Sequence, residues 1–113
     1  MIIDLDLNPT VGSETGRVRP CVIVTNDDYN SNPNLSIFQV VPITEWSRKK
    51  ERIITNVSIE LDTNNGLTKK SIADCLQVRP IDVHYRFVGI RGNASADVMN
   101  EIDQALIMLF NLD

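Results

Sequence analysis

Short apolar blocks separated by turn-forming residues run along most of the chain and predict a protein built mainly from β-strands. Each block is rich in Ile, Val and Leu and is bounded by Gly, Pro, Asn or Asp. We predict strands over residues 2–7, 18–25, 35–43, 53–61, 71–78 and 85–91.

Two of these blocks also predict how their strands are buried. Residues 18–25 form a nearly continuous apolar run, which is typical of a strand covered on both faces. In residues 53–61 the side chains alternate, with Ile53, Val57, Ile59 and Leu61 on one face. That alternation predicts a half-buried strand.

The end of the chain follows a helical pattern instead. Ser95 is a suitable N-cap, and Asp97 in the first turn suits the helix dipole. Apolar residues then recur at helical spacing at Val98, Ile102, Ala105, Leu106 and Leu109. We therefore predict one amphipathic helix over about the last fifteen residues.

Three segments between the blocks predict loops. Residues 26–34 are dense in turn formers, and Asn65-Gly66 is a strong turn signal. Residues 44–52 hold four of the eleven basic residues around the single tryptophan, Trp46. That segment is either a solvated, mobile hairpin loop or a loop that contacts nucleic acid.

Length and composition indicate one globular domain over residues 1–113. The chain is 42% hydrophobic and 23% charged. No apolar run approaches the roughly 20 residues that span a bilayer. The Met1 end has neither the basic flank nor the long apolar region of a signal peptide. We expect a cytoplasmic protein that does not enter a membrane.

Charge and cysteine content narrow the functional classes further. The net charge of −4 argues against non-specific nucleic-acid binding through an overall positive surface, although it permits a local basic groove. Cys21 and Cys75 lie in apolar blocks without a CxxC motif, so we expect buried reduced thiols. The sequence shows no carboxylate or histidine cluster with metal-ligand spacing.

The most distinctive stretch is the polar connection between the first two predicted strands. Asn8-Pro9 ends the first strand, and Gly12 and Gly16 permit backbone conformations that other residues resist. Between and after them lie Ser13, Glu14, Arg17 and Arg19. A loop that is both polar and constrained in this way is a candidate site, although an ordinary charged hairpin connection has the same spacing.

The chain resembles the MazF/PemK toxin family in several segments that fall in family order. These are residues 6–14, 18–20 with 26–27, 41–44, and 73–79, which contain the family's Asp-Gln-hydrophobic-Arg pattern. The resemblance implies a small SH3-like antiparallel β-barrel with a C-terminal α-helix, mainly β in class. The chain departs from the family at its start, where Met1-Ile2-Ile3 stands in place of a longer segment.

The resemblance also implies an activity and partners. It implies a sequence-specific, metal-independent endoribonuclease without cofactor, which cleaves single-stranded RNA through attack of the ribose 2′-hydroxyl. The expected partners are a second copy of the chain and a MazE-like antitoxin, with DNA bound only through the antitoxin complex.

By resemblance, the catalytic candidates are Arg19, Thr44 and Glu14. A guanidinium matches two phosphate oxygens at once, and a threonine hydroxyl can donate to a third. Glu14 is a candidate base, although beside Arg17 and Arg19 it could equally form an ion pair.

The expected RNA contacts come from the loops. Trp46 could stack a base beside basic residues, and Gln77 could read a base edge or support the loop. His84 is expected to be structural. The RNA-binding candidates are Asn8, Gly12, Ser13, Arg17, Asn26, Trp46, Arg48, Lys49 and Gln77.

Two other functions stay open on the sequence. A gyrase-binding toxin of the CcdB type would share the fold and act by binding alone. A non-catalytic barrel that binds a protein partner is also possible, because a fold does not fix a function. Neither alternative needs Arg19 or Thr44.

Overall fold

A computed structural model describes residues 1–112 as an antiparallel sheet followed by a C-terminal helix. Its strands are β1 (Ile2–Asp6), β2 (Val18–Ile23), β3 (Ile37–Glu45), β4 (Asn56–Ile59), β5 (Ser71–Asp74), β6 (Arg79–Asp82) and β7 (Phe87–Gly92). Its helices are α1 (Asp27–Asn30), α2 (Arg48–Glu51), α3 (Val83–Arg86) and α4 (Ala96–Phe110), and Cys75–Gln77 form a 3₁₀ turn. The predicted fold class, mainly β with a C-terminal helix, is confirmed.

Strand β3 is the centre of the sheet because it has three partners. The strand order is β4-β5-β3-β2-β1-β7, and β6 also pairs with β3. One edge of β3 pairs with β2, whereas the other is shared between β6 at residues 37–40 and β5 at residues 43–45.

The change of partner along β3 coincides with a proline. The Trp46 amide donates to the Lys70 carbonyl at 3.1 Å, so the even-numbered residues of β3 direct their backbone groups toward the β5 edge. Pro42 therefore faces that edge without an N–H to donate. The 3₁₀ turn at Cys75–Gln77 separates β5 from β6 opposite this point.

The sheet buries apolar side chains on both faces. One core lies under α4 and contains Val22, Val41 and Ile102, and the other contains Cys21 and Ile23. Successive residues of β2 thus enter different cores, which confirms the prediction of a strand covered on both faces. The single seven-stranded antiparallel sheet thus separates two apolar cores.

Helix α4 forms as its sequence pattern predicts. The Ser95 hydroxyl accepts a hydrogen bond from the Val98 amide at 3.2 Å. Ile102 and Ala105 are buried in the core beneath the helix. Asn111 ends the helix in the left-handed conformation, with φ of +53°.

The predicted strand over residues 53–61 is shorter than expected. Only Asn56–Ile59 form β4, and its Val57 and Ile59 are buried. Ile53 and Leu61 are 46% and 51% exposed. The chain turns before β4, where the Asn56 amide donates to the Ile53 carbonyl at 2.9 Å, so the alternating pattern continued beyond the strand that it predicted.

Several other predicted boundaries were wrong. In most of these cases a short segment without a clear apolar pattern forms a strand or a helical turn. The predicted strand 71–78 ends at Asp74, and residues 79–82, for which no strand is predicted, form β6. The start of the predicted strand 85–91 belongs to α3, which contains exposed His84. The expected loops 26–34 and 44–52 contain the helical turns α1 and α2.

Both cysteines are free and buried, as predicted. Burial raises the pKa of the Cys21 thiol to about 12 and that of Cys75 to about 11. Residues 1–112 contain no group of three or more potential metal ligands. None of the helices described is both long and apolar enough to cross a bilayer.

Candidate functional site

The loop between β1 and β2 is closed at its base by Asn8. The Leu7 amide donates to the Arg17 carbonyl at 2.9 Å, and the Arg17 amide donates to Asn8 Oδ1 at 2.9 Å. A Cβ on Gly16 would lie only 2.7 Å from Asn8 Oδ1, so this approach requires glycine. Gly12 and Arg17 have φ of +58° and +67°.

Two side chains from the turn and start of β6 support the same loop from below. Gln77 Oε1 accepts from the Thr15 amide at 2.5 Å, and Gln77 Nε2 donates to the Ser13 carbonyl at 3.3 Å. Arg79 donates to the Leu7 carbonyl at 2.9 Å and to the Thr15 carbonyl at 3.4 Å. Of the two roles considered for Gln77, reading a base edge or supporting the loop, these contacts favour support. Arg79 belongs to the same sequence motif but was not predicted as a site residue.

Arg19 and Thr44 line one cleft of about 260 Å³ at the end of the β2–β3 ladder. The ladder pairs Cys21 with Pro42, and continuing that register would set residue 19 opposite residue 44. The β2–β3 pairs end at Cys21, and the next residue of β2, Pro20, has no N–H to continue the ladder. The cleft lies at this end of the ladder, with a guanidinium on one side and a hydroxyl on the other.

Arg19 is held in the cleft by its backbone surroundings. Its Nε donates to the Gly16 carbonyl at 3.3 Å. No carboxylate of residues 1–112 lies within 4.0 Å of its guanidinium. The charge is therefore available to an anionic ligand.

The other cleft cations have carboxylate partners. Lys69 pairs with Glu45 at 3.5 Å, and Arg91 pairs with Asp4 at 2.7 Å while donating to the Gly66 carbonyl. Neither cation was predicted as a site residue, and nothing in its local sequence marks it. Because Glu45 and Asp4 pair two of the three cations that line the cleft, Arg19 carries its one positive charge without a carboxylate partner within residues 1–112.

Glu14 lies outside this cleft. Its Oε1 accepts from the Val11 amide at 2.6 Å, and it lines a separate cavity of about 380 Å³ with Ser13 and Gln77. Within residues 1–112 it forms no ion pair with Arg17. The carboxylate therefore shapes the loop.

The segment around Trp46 follows directly on Thr44 and Glu45, which line the cleft. Strand β3 continues to Glu45, and the Ser47 hydroxyl caps α2, on which Arg48 and Lys49 are exposed. The Lys70 ammonium lies 4.5 Å from the centre of the Trp46 ring. One ring face is thus already covered.

Asn26 lies away from the other RNA-binding candidates. Its Oδ1 accepts from the Tyr29 amide at 2.8 Å and so caps α1. It lines a different cavity, of about 720 Å³, together with Phe38 and Asp103. The lining of the cleft with Arg19 and Thr44 includes none of the RNA-binding candidates, since Ser13 and Gln77 line the cavity of Glu14 and Asn26 lines this third one.

Comparisons with known proteins point to one family. Residues 1–110 match the sequence model described as "PemK-like, MazF-like toxin of type II toxin-antitoxin system". The chain is similar to "Endoribonuclease EndoA" of Bacillus subtilis, with 31% identity over 101 residues, covering 89% of this chain and 83% of that protein.

Solved structures agree with this result. The Mycobacterium tuberculosis toxin MazF-mt6 superimposes with a TM-score of 0.75 and 26% identity, covering 99% of this chain and 97% of that one. The MazE-MazF structure (Form-III) from Deinococcus radiodurans gives a TM-score of 0.72 and 20% identity, covering 99% and 94%. At 20% identity, the similarity to the Deinococcus radiodurans structure shows only that the two chains share a fold.

We predict that Gln77→Glu loosens the loop between β1 and β2. The new carboxylate cannot donate to Ser13, and it places a second negative charge beside Asp74, whose carboxylate lies 3.3 Å from Gln77 Nε2. Stability at neutral pH should fall by about 1–3 kcal/mol. Urea unfolding and hydrogen exchange of the Thr15 amide measure the effect.

Gln104→Glu makes the same chemical change at an exposed position of α4 and is the control. It should stay within about 0.5 kcal/mol of the wild type. Unchanged stability and unchanged Thr15 exchange in Gln77→Glu would contradict the supporting role.

Proposed function

Because the chain belongs to the PemK-like, MazF-like family of type II toxin-antitoxin toxins, we propose that it is an endoribonuclease that cleaves single-stranded RNA at specific sequences. The observation that carries this proposal is the convergence of Arg19 and Thr44 on one cleft. EndoA, the relative of 31% identity, is named an endoribonuclease. A toxin that acted by binding gyrase or another protein would have no use for this pair.

The proposed reaction is transesterification at phosphorus. The ribose 2′-oxygen bonds to the phosphorus and the bond to the 5′-oxygen breaks, which leaves a 2′,3′-cyclic phosphate and a 5′-hydroxyl. The proton lost from the 2′-hydroxyl is balanced by the one gained at the 5′-oxygen. Negative charge gathers on the non-bridging oxygens, and preorganised donors there lower the barrier.

Arg19 and Thr44 are the donors that we assign to those oxygens. The guanidinium is held by Gly16 and carries no ion pair within residues 1–112, so it can give two parallel hydrogen bonds to the phosphate. The Thr44 hydroxyl lines the cleft from β3. Glu14 lies outside the cleft, so we assign it to the loop and not to the chemistry.

The RNA strand is proposed to run between two walls. One is the loop between β1 and β2, with Asn8, Gly12, Ser13 and Arg17, held by Gln77. The other is the segment with Trp46, Arg48 and Lys49, whose exposed charges would follow the phosphates. Asn26 is left out because its side chain caps α1 and lies on neither of these two segments.

We propose that the toxin acts in the cytoplasm as a homodimer of the single domain 1–113. The support is the exposed apolar surface at the end of α4, where Met108, Phe110 and Leu112 are each more than half exposed. Such a surface on a small domain favours a self-complementary contact.

A MazE-like antitoxin is the proposed partner. One fold neighbour was solved as MazE-MazF. An acidic, partly apolar antitoxin segment would be attracted to the same cations as the RNA phosphates and would block RNA by occupancy.

Cleavage of a long mixed RNA in EDTA tests the activity itself. We expect cuts at defined sites that leave 2′,3′-cyclic phosphates, because the donors assigned to the phosphate are side chains of the protein. DNA of the same sequence should stay intact, since it lacks the 2′-hydroxyl. A requirement for magnesium, or equal cutting of DNA, would refute the mechanism.

Arg19→Lys tests the assigned donor. Lysine keeps the charge but replaces a planar fork with one flexible ammonium, so RNA binding should persist while the single-turnover rate falls on the order of 100- to 1000-fold. Thr44→Val should reduce the rate less, because its hydroxyl is uncharged. Cleavage rate, RNA affinity and thermal melting are measured together.

Arg52→Lys is the matched control, because Arg52 is exposed on the turn after α2. It should cleave at the wild-type rate. Near wild-type cleavage by Arg19→Lys would remove Arg19 from the chemistry, and failure of that variant to fold would make the residue structural.

The partners are tested by sedimentation at micromolar protein concentration. We expect the protein alone to sediment as a dimer and to bind labelled RNA. A peptide from the acidic tail of the antitoxin should release that RNA. A monomer would exclude the proposed dimer, and simultaneous binding of RNA and peptide without mutual weakening would exclude occupancy.

A further inference from the structure

The ammonium of Lys50 contacts the hydroxyl of Thr44, although Lys50 itself does not line the cleft. Its Nζ lies 3.4 Å from Thr44 Oγ1 and donates to the Glu45 carbonyl at 3.0 Å. The shorter bond fixes the ammonium, and the longer distance places its charge beside the hydroxyl. Sequence reasoning counted Lys50 only as one charge of a basic loop.

The backbone of Lys50 is fixed at both of its polar groups. Its amide donates to the Ser47 hydroxyl at 3.1 Å, and its carbonyl accepts from Asn56 Nδ2 at 3.0 Å. The Ile53 amide donates to the same carbonyl. Turn α2 is therefore tied to β3 on one side and to β4 on the other, and it presents Lys50 in a defined place.

The side chain of Lys50 differs from its neighbours on the turn. Arg48, Lys49 and Glu51 are exposed, whereas Lys50 is half-buried. Within residues 1–112 it forms no ion pair with a carboxylate. A lysine placed only for solubility would extend into water, so this one has a structural or chemical role.

Hydrogen-bond chemistry defines that role. An ammonium only donates, so the Thr44 oxygen must act as the acceptor toward Lys50. The single hydroxyl hydrogen of Thr44 is then directed away from Lys50 and toward another acceptor. With phosphate in the cleft, the available acceptor is a phosphate oxygen.

We propose that Lys50 is a positioning residue for the cleavage reaction, which orients the Thr44 hydroxyl as a donor to the phosphate. This inference rests on the proposed endoribonuclease activity. It differs from a direct phosphate contact by Lys50, because the residue acts through Thr44 and loses its effect when the hydroxyl is absent.

A double-mutant cycle tests the inference by single-turnover cleavage at saturating protein. Lys50→Met keeps the length of the side chain and removes the ammonium. We expect a rate loss on the order of 10-fold in the wild-type background, smaller than that for removal of a donor that contacts the phosphate itself. In the Thr44→Val background the same change should alter the rate less than about 2-fold, because the residues act as a unit.

Two further variants keep the test sharp. Arg52→Met removes one charge from an exposed position that makes no ion pair within residues 1–112, so it should match Lys50→Met in RNA affinity and keep the wild-type rate. Lys50→Arg retains a charged donor and should recover part of the rate. Thermal melting of each variant identifies loss of folding, in which case Lys50→Leu, which also removes the ammonium, replaces Lys50→Met in the cycle.

The outcomes separate the inference from the proposed function. If the wild type does not cleave RNA, the function and the inference both fail. If the wild type cleaves and Lys50→Met cleaves equally well, only the inference fails. Equal rate losses in both backgrounds would show that Lys50 acts independently of Thr44 and would also overturn it.

Discussion

The antiparallel pairing of β2 with β3 is the constraint on which the candidate site depends. The pairs Cys21–Pro42, Val22–Val41 and Ile23–Val40 fix the register in which the two strands enter the cores. A slip by one residue would exchange the faces of every side chain, so burial on both faces locks that register. The pairs end before Pro20, which has no N–H, and Arg19 and Thr44 both line the cleft at that end of the ladder.

Of the three cations that line the cleft, only Arg19 has no carboxylate partner within residues 1–112. The protein has more acidic than basic residues, yet Glu45 and Asp4 are used to pair Lys69 and Arg91. Those pairs hold the cleft walls, while Arg19 is fixed by a backbone carbonyl alone. An arginine held without a carboxylate keeps its attraction for phosphate at close range, where screening by salt is weakest.

Much of the fold follows from local patterns. The runs that form β1, β2 and β3 and the helical spacing of α4 are strong because each buries apolar residues in a continuous core. Strand β6 was missed because Arg79-Pro80-Ile81-Asp82 has only one buried apolar residue, Ile81, and its pairing depends on β3. In residues 53–61 the predicted strand was too long, because apolar and polar residues continue to alternate beyond the paired residues Asn56–Ile59.

The site was predicted in part for similar reasons. Arg19 and Thr44 belong to motif segments that any family resemblance would carry. Lys50 depends on how a single helical turn is capped by Ser47 and clamped by Asn56, and such tertiary contacts leave no periodic signal. Glu14 looked catalytic because it is close to Arg17 and Arg19 in sequence, but the turn directs its carboxylate to the Val11 amide.

The loop between β1 and β2 and the segment around Trp46 are both held by the same stretch of chain, residues 69–79. Gln77 and Arg79 hold the loop between β1 and β2. The Lys70 ammonium covers one face of the Trp46 ring, and the Lys70 carbonyl accepts a hydrogen bond from the Trp46 amide. That stretch changes from β5 to β6 opposite Pro42, where β3 has no N–H to offer. Gln77 lies in this turn and holds the loop whose Gly16 carbonyl accepts from Arg19, so the turn in the sheet and the place of Arg19 are joined through two hydrogen-bonded contacts.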